Sequence, residues 1–415
     1  MVAAGSPLKI VVGVSGGIAA YKACHLVRAF TERGHEVRVV PTPSDLEVVG
    51  AATFEALSGN PVSTTVFDAV DSVQHVRVGQ EADLVVIAPA TADLMSRAAH
   101  GRADDLLTAT LLVATCPVVF APAMHTEMWN HPATRDNVDT LRLHGKIVLD
   151  PAHGRLTGVD TGPGRLPEPE QIARLALLAA ERPGAFARDL EGRRVVISAG
   201  GTREAIDPVR FTGNHSSGRQ GYALAEVAAP PGAEVTLVAG SVDEPPVPAG
   251  ATVRRIVSAR ELADAMAEES AGADAIIMSA AVADFRPAAE SEAKLKKGNS
   301  SEALSTISLV ENPDVLATIV GRRKAGELPA ETVITGFAAE TGDADGTPLE
   351  HATRKLARKG CDLLMCNDVS GGKTFGSDDN VGWILDADGT VTDVPQGSKY
   401  AVAADILDAV AKRLR

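Results

Sequence analysis

Val11-Val12-Gly13-Val14-Ser15-Gly16-Gly17 runs an apolar strand straight into glycines, and the second half of the chain restarts the same way with Val195-Val196-Ile197-Ser198-Ala199-Gly200-Gly201. Outward from each of these stretches, short β-branched runs alternate with Ala-rich helical ones. That alternation is the pattern of βαβ units and of a parallel sheet covered on both faces. In the first half it predicts strands over Lys9 to Val14, Glu36 to Pro41, Ala82 to Ala88, Cys116 to Ala121 and Lys146 to Leu149. In the second half it predicts Arg194 to Ser198, Glu234 to Val238, Val253 to Val257, Ala275 to Ser279, Thr332 to Gly336 and Asp362 to Cys366, then a small hairpin around Asp386-Ala387-Asp388-Gly389. The expectation is an α/β chain of two Rossmann-like domains. A helix over Glu170 to Arg182 and the turn Pro183-Gly184 separate them. The boundary falls near residue 189, giving domains 1–189 and 190–415.

The 415 residues carry 40 Lys+Arg against 54 Asp+Glu, a formal net charge of −14. That balance disfavours a general nucleic-acid binder, whose affinity comes largely from phosphate neutralisation, while leaving room for a local basic patch around a small anion. A 45% hydrophobic content rules out disorder, and with only 3% aromatics the cores must be filled by Ala, Val, Leu and Ile. The four cysteines, Cys24, Cys116, Cys361 and Cys366, form no CxxC pair and no disulfide framework, which fits a reducing cytoplasm. Met1 to Pro7 lacks the basic start of a signal peptide. Leu106 to Met124 is the longest uncharged run, but Pro117 and Pro122 break it, so it reads as a helix followed by a strand rather than a membrane span.

The first-half motifs stand at strand ends. Gly13-Val14-Ser15-Gly16-Gly17-Ile18 lets a phosphate approach backbone N–H groups at a helix start, although it is not GxGxxG. Ala88-Pro89-Ala90-Thr91-Ala92-Asp93 follows the third strand, hence the same sheet edge, so the two loops are placed to share a ligand. His75 lies in a polar stretch before a helix. Pro122-Ala123-Met124-His125-Thr126-Glu127-Met128-Trp129 offers an apolar wall with one polar group, suited to a flat aromatic cofactor.

Together these motifs resemble the FMN-dependent cysteine decarboxylase flavoproteins. The resemblance implies that Ser15, Gly16, Gly17, Ile18, Thr42, Pro89, Ala90, Thr91 and Ala92 hold FMN, that His75 is the catalytic base, and that Met124 and His125 contact substrate. In that family the flavin oxidises a cysteine-derived thiol to a thioaldehyde, which acts as an electron sink while the adjacent carboxylate leaves as carbon dioxide. Two departures matter. His125 stands where the family commonly has asparagine, and its imidazole can still donate a hydrogen bond. The flap, Gly154-Arg155-Leu156-Thr157-Gly158-Val159-Asp160-Thr161-Gly162-Pro163-Gly164-Arg165, lacks the family's cysteine, so reprotonation is left between Thr157, Asp160, His153 and a water.

In the second half Thr202-Arg203-Glu204, Asp207-Pro208-Val209-Arg210 and Gly213-Asn214-His215-Ser216-Ser217-Gly218 make an anion-binding loop without a dinucleotide fingerprint. Ala280-Ala281-Val282-Ala283-Asp284 delivers one aspartate from a strand end. Lys294, Lys296 and Lys297, and then Arg354, Lys355, Arg358 and Lys359, gather positive charge beside the Asn312-Pro313-Asp314-Val315 and Gly336-Phe337-Ala338-Ala339-Glu340-Thr341 loops. Lys355 and Lys359 share a helix face. This half resembles phosphopantothenate-cysteine ligases, and the whole chain resembles the bacterial bifunctional decarboxylase/ligase family of coenzyme A biosynthesis. The resemblance implies a CTP-dependent ligase that works through an acyl-cytidylate. Asn214 and Lys294 would serve the second half-reaction and Arg210 would contact substrate. Asp284 would hold magnesium, and with Asn312, Pro313, Asp314, Val315, Phe337, Lys355 and Lys359 it would bind CTP. It further implies trimers of flavin domains joined by ligase-domain dimers, with small-molecule substrates and no nucleic-acid or membrane partner. The rival readings are an NAD(P)-dependent oxidoreductase, which the absent GxGxxG fingerprint disfavours, and a flavin-binding regulatory protein with an inactive decarboxylase half.

Overall fold

The computed structural model describes residues 6–63, 74–155, 161–242, 246–296, 306–343, 346–368 and 379–415. They form two compact units, Met1–Ala187 with Val247–Gly250, and Arg188–Pro246 with Ala251–Arg415.

In the first unit β1 (Lys9–Val14), β2 (Glu36–Pro41), β3 (Leu84–Ala90), β4 (Val118–Pro122) and β5 (Ile147–Val148) form a parallel sheet in the order β2-β1-β3-β4-β5. The chain starts in the middle, runs to one edge and returns to the other side of β1. This leaves a crevice between the carboxyl ends of β1 and β3, where open α/β sheets bind ligands. The connecting helices are α1 (Tyr21–Thr31), α2 (Ala51–Ser58), α3 (Gln74–Glu81), α4 (Ala92–Ala99), α5 (Leu106–Val113), α6 (Thr126–Asn130), α7 (Pro132–Leu143) and α8 (Pro169–Glu181). The uncharged run is indeed a helix, α5, followed by a strand, β4. A Cβ on Gly13 would lie 2.5 Å from both Ile87 and Leu107, so glycine at that position lets α5 sit directly on the sheet. Leu107 is fully buried there, a contribution of about 1.5–3 kcal/mol.

Two expectations shift. His75 lies within α3, which opens at Gln74, rather than ahead of a helix. β3 starts at Leu84, two residues later than expected, and Asp83 before it exchanges bonds with Lys9, its side chain accepting the Lys9 N–H at 2.8 Å and its N–H donating to the Lys9 carbonyl at 2.9 Å. An antiparallel pair unread from sequence, β6 (Ala152–Arg155) and β7 (Thr161–Arg165), completes the unit.

The second unit is built on eight strands in the order β12-β11-β8-β13-β16-β17-β18-β19. These are β8 (Arg194–Ala199), β11 (Glu234–Ala239), β12 (Ala251–Arg255), β13 (Ala275–Met278), β16 (Val333–Glu340), β17 (Leu363–Asp368), β18 (Asp379–Asp386) and β19 (Val391–Ser398). The first six in sheet order are parallel, and the expected hairpin, β18–β19, extends the sheet antiparallel at its edge. Here the switch point lies between β8 and β13. Around the sheet are α9 (Arg219–Ala228), α10 (Ala259–Glu269), α11 (Val315–Lys324), α12 (Pro348–Lys359) and α13 (Lys399–Leu414). α9 ends before Pro230 and Pro231, as residues without a backbone donor dictate. Two short ribbons stand off the sheet: β9 (Arg203–Asp207) with β10 (Arg210–Gly213), and β14 (Phe285–Pro287) with β15 (Leu309–Glu311).

Candidate active sites at the two switch points

In the first unit the loops after β1 and β3 are tied together. Ser15, 2% exposed, donates through Oγ to the Pro89 carbonyl at 2.8 Å and accepts the Thr91 N–H at 2.9 Å. Its one hydroxyl proton is therefore engaged, and Ser15 clamps the loops instead of donating to a ligand. The Ala88–Pro89 peptide is cis. Thr42, at the end of β2, accepts the Gly16 N–H at 3.1 Å, and a Cβ on Gly16 would lie 2.5 Å from Ser44 Oγ and 2.9 Å from the Ser44 carbonyl carbon. The loop thus approaches Ser44 too closely for any side chain. Gly17 precedes a short 3-10 turn, Ile18–Ala20, whose Ile18 is 70% exposed, and Thr91 caps α4 by accepting the Leu94 N–H. Ser15, Gly16, Thr42, Pro89 and Thr91 form one hydrogen-bonded cradle, continued by Gly17, Ile18, Ala90 and Ala92. Its glycines and exposed isoleucine fit an anionic group and a flat apolar ring.

The third wall comes from β4. The Met124 N–H donates to the Gly164 carbonyl at 2.9 Å, and a Cβ on Gly164 (φ +148°) would lie 2.2 Å from the Met124 carbonyl oxygen. A Cβ on Gly162 would likewise meet Thr126 Oγ1 at 2.4 Å. Only glycines allow β7 to press on the segment carrying His125, whose ring is exposed at the start of α6. Trp129 beneath it is buried, with the Arg135 guanidinium 4.7 Å from its ring centre. Thr157 and Asp160 lie outside the described residues, as do the surroundings of the His75 side chain, while His153 is exposed on β6. All four cysteines are free; burial pushes Cys116 up to about 11 and Cys366 to about 12, and raises Cys24 and Cys361. None is poised as a thiolate.

In the second unit the strand ends interlock. Ala281 N–H donates to the Gly200 carbonyl (2.8 Å), Thr202 N–H to Ala281 (3.2 Å), and Gly201 and Ser241 exchange backbone bonds at 3.0 and 2.8 Å. Above them opens a cleft of about 700 Å³ that brings together Asn214, Asp284, Asn312, Pro313, Asp314, Val315, Phe337, Lys355 and Lys359. Asn214 donates to the Val282 carbonyl at 2.9 Å, and Asn312 to that of Ala283 at 2.9 Å. Asp314 caps α11 through the Ala317 N–H and pairs with Lys359; burial opposes its charge, but these partners hold its carboxyl below the usual range. Lys355 lies 3.5 Å from Glu340, and a capping box between Thr347 and Glu350 anchors the helix that presents both lysines. Each ammonium retains donors for an anion beyond its carboxylate partner.

Arg210 and Lys294 are not among the residues lining this cleft. The Arg210 guanidinium bonds Asp207 (2.5 Å) and the Leu295 carbonyl (3.2 Å) and stays partly exposed, and Lys294 is exposed on the neighbouring segment. The cleft also gathers residues that sequence reasoning passed over, chiefly Lys399 and Asn380, with Gln220 bridging Asn380 Nδ2 (2.7 Å) and the Lys399 carbonyl (3.0 Å). Lys399 is 7% exposed in the first turn of α13, and Arg219 opens α9. Cations at helix N-termini oppose the macrodipole, which is consistent with a nearby anion, but their place at the cleft follows only from how α9 and α13 pack. Asn367 Oδ1 is buried at the cleft without a hydrogen-bond partner.

The sequence matches the Flavoprotein family over residues 4–178 and the family described as DNA/pantothenate metabolism flavoprotein C-terminal domain over residues 190–414. Among curated proteins, Coenzyme A biosynthesis bifunctional protein CoaBC of Mycobacterium tuberculosis (strain ATCC 25618 / H37Rv) is 60% identical over 404 residues, 97% of this chain and 96% of its own. The protein of that name from Mycolicibacterium smegmatis is 60% identical over 98% of both chains, and that of Vibrio vulnificus (strain YJ016) 42% over 96% of both. A crystal structure of the C-terminal domain of a CoaBC protein is 35% identical and covers 55% of this chain and 98% of its own; at a TM-score of 0.45 it adds nothing to the sequence match.

Proposed function

The chain belongs to the bifunctional coenzyme A biosynthesis family, with a flavoprotein decarboxylase and a ligase in one polypeptide, and from that premise we propose the substrates and the residues that serve each step. The ligase half, residues 190–415, joins cysteine to 4'-phosphopantothenate at the expense of CTP. The decarboxylase half, residues 1–189, converts 4'-phosphopantothenoylcysteine to 4'-phosphopantetheine with FMN. The observation that supports this reading best is the basic cleft at the second switch point: Lys355, Lys359, Lys399 and Arg219 border it within a chain of net charge −14. A triphosphate is the kind of ligand such a concentration of charge suits.

In the ligase, the substrate carboxylate attacks the nucleotide α-phosphate. Pyrophosphate leaves, and the cysteine amine displaces CMP from the acyl-cytidylate. Lys355 and Lys359, prealigned by Glu340 and Asp314, take the triphosphate. The Asn312 to Val315 loop and Phe337 flank the nucleotide, and Asn214 with Lys294 orients the acyl group. Asp284 makes no ion pair among the described residues, and no group of three or more acidic or His/Cys ligands forms there. A single carboxylate beside a triphosphate fits magnesium, which binds through phosphates, waters and one or two carboxylates.

In the decarboxylase, the cradle of Ser15, Gly16, Gly17, Thr42 and Thr91 fits the FMN phosphate edge, with Ile18 and the Pro89 to Ala92 loop against the ring. When bound, FMN supplies a reversible two-electron acceptor. His75 takes the proton from substrate, His125 donates to its carboxylate, and the segment holding Thr157 and Asp160 returns a proton. No helix among the described residues is long and apolar enough to cross a membrane, and we place the enzyme in the cytoplasm as a homo-oligomer.

The test supplies phosphopantothenate, cysteine and magnesium with each nucleoside triphosphate in turn and follows pyrophosphate and carbon dioxide separately. CTP should support both. Lys294→Gln should lower the ligated product by about 10²–10³-fold, the scale for losing one group that stabilises the reacting acyl centre; absence of pyrophosphate with every nucleotide would refute the ligase reading.

A further inference from the structure

Asp207 is 2% exposed, yet all of its hydrogen bonds go to backbone or to one arginine. Its Oδ1 accepts the N–H groups of Val209 and Arg210, both at 2.8 Å, which closes the turn between β9 and β10. Its Oδ2 accepts Arg210 Nη1 at 2.5 Å and the N–H of Leu295 at 3.2 Å. Arg210 then donates from Nη1 and Nη2, each at 3.2 Å, to the carbonyl of the same Leu295. Both backbone polar groups of one residue, more than 80 positions away, are thus held by a single ion pair. Four residues earlier the Ser291 N–H donates to the Ile206 carbonyl at 3.1 Å, docking the same segment on the same hairpin.

Leu295 lies between Lys294 and Lys296. Without the clamp, this stretch is exposed, carries like charges that repel, and would have to lose backbone conformational entropy to become ordered. The far end of the hairpin leads from Gly213 into Asn214, which is fixed on the Val282 carbonyl. One rigid element therefore references both groups that the proposed ligase mechanism uses in its second half-reaction.

We infer that Asp207 is a positioning residue of the ligase, acting with Arg210 through the Leu295 backbone to fix where Lys294 emerges. This rests on the role proposed for Lys294. It also reassigns Arg210 from touching substrate to bracing the lysine segment.

The test uses the full chain with magnesium, CTP, phosphopantothenate and cysteine, and reads steady-state ligation together with hydrogen exchange at the Leu295 amide. In Asp207→Asn the amide group turns a donor toward the Leu295 N–H. Exchange at Leu295 should quicken and kcat should fall by about 10–100-fold, the scale expected for a catalytic group displaced by about an ångström. KM for CTP should stay within about 2-fold. Adding Asp207→Asn to Lys294→Gln should cost less than about 3-fold more, because coupled residues are non-additive. Arg210→Ala, at a partly exposed position, should show the same pattern if Asp207→Asn folds poorly. A raised KM for phosphopantothenate with fully multiplicative losses would return Arg210 to the substrate and overturn the inference. Unchanged exchange with unchanged kcat would refute the clamp alone, whereas normal ligation by Lys294→Gln would refute the lysine's role alone.

Discussion

Asp45 follows Thr42 and Ser44 in the turn that closes the cradle proposed for FMN. It is fully buried, and neither carboxyl oxygen has a hydrogen-bond partner. Burial pushes its pKa up to about 7, and its proximity adds to the burial that already raises the Cys24 thiol. A carboxyl that holds its proton more tightly in the fold than in the unfolded chain makes the fold less stable as pH rises from its ordinary pKa to its raised one, and the loss levels off above that. The penalty is at most roughly 4 kcal/mol at pH 8. Asp45→Asn should therefore raise the melting temperature at pH 8 and gain progressively less as pH falls toward 4, measured by thermal unfolding across that range. An equal gain at every pH would show that Asp45 titrates in the fold as it does in the unfolded chain, and would contradict the raised pKa. No sequence pattern marks this residue, because an aspartate in a Pro-Ser-Asp turn reads as an ordinary polar loop. Lys399 was missed for a related reason: only the packing of α13 beside the edge hairpin carries it to the cleft.

At the scale of elements, the strand ends were legible because a buried parallel strand is apolar throughout and its end is marked by small or polar residues, glycines after β1 and β8. The motifs placed the loops after β1 and β3 on one sheet edge; the strand orders, and with them the switch points, follow only from the fold. The ribbons β6–β7, β9–β10 and β14–β15 were not legible, since short polar strands that pair with each other carry no hydrophobic period to read. The bracing role of Arg210 went unseen for the same reason, as it depends on a contact between two such ribbon-borne segments. The β1 turn makes the sharpest prediction at this scale. A methyl group on Gly16 has no room beside the Ser44 backbone, so it must break the Gly16 N–H bond to Thr42. Gly16→Ala should weaken flavin retention by about 10-fold or more, the effect of losing about 1.4 kcal/mol of binding, read from the visible flavin absorbance of the purified chain. Retention equal to that of the unaltered chain would mean the loop does not hold the cofactor.

Across the whole molecule the net charge is −14, while Arg219, Lys355, Lys359 and Lys399 gather around one cleft. In the proposed mechanism two sheets with different strand orders each bind at their own reversal, which allows one polypeptide to form an amide with one unit and remove its carboxylate with the other. The central claim is that these chemistries are separate and sequential. The direct measurement is a single reaction with CTP, phosphopantothenate and cysteine in the presence of FMN, comparing the unaltered chain with His75→Asn. The account predicts that His75→Asn releases pyrophosphate at the normal rate, accumulates phosphopantothenoylcysteine and yields no carbon dioxide. Continued release of carbon dioxide, or loss of pyrophosphate along with it, would contradict the account.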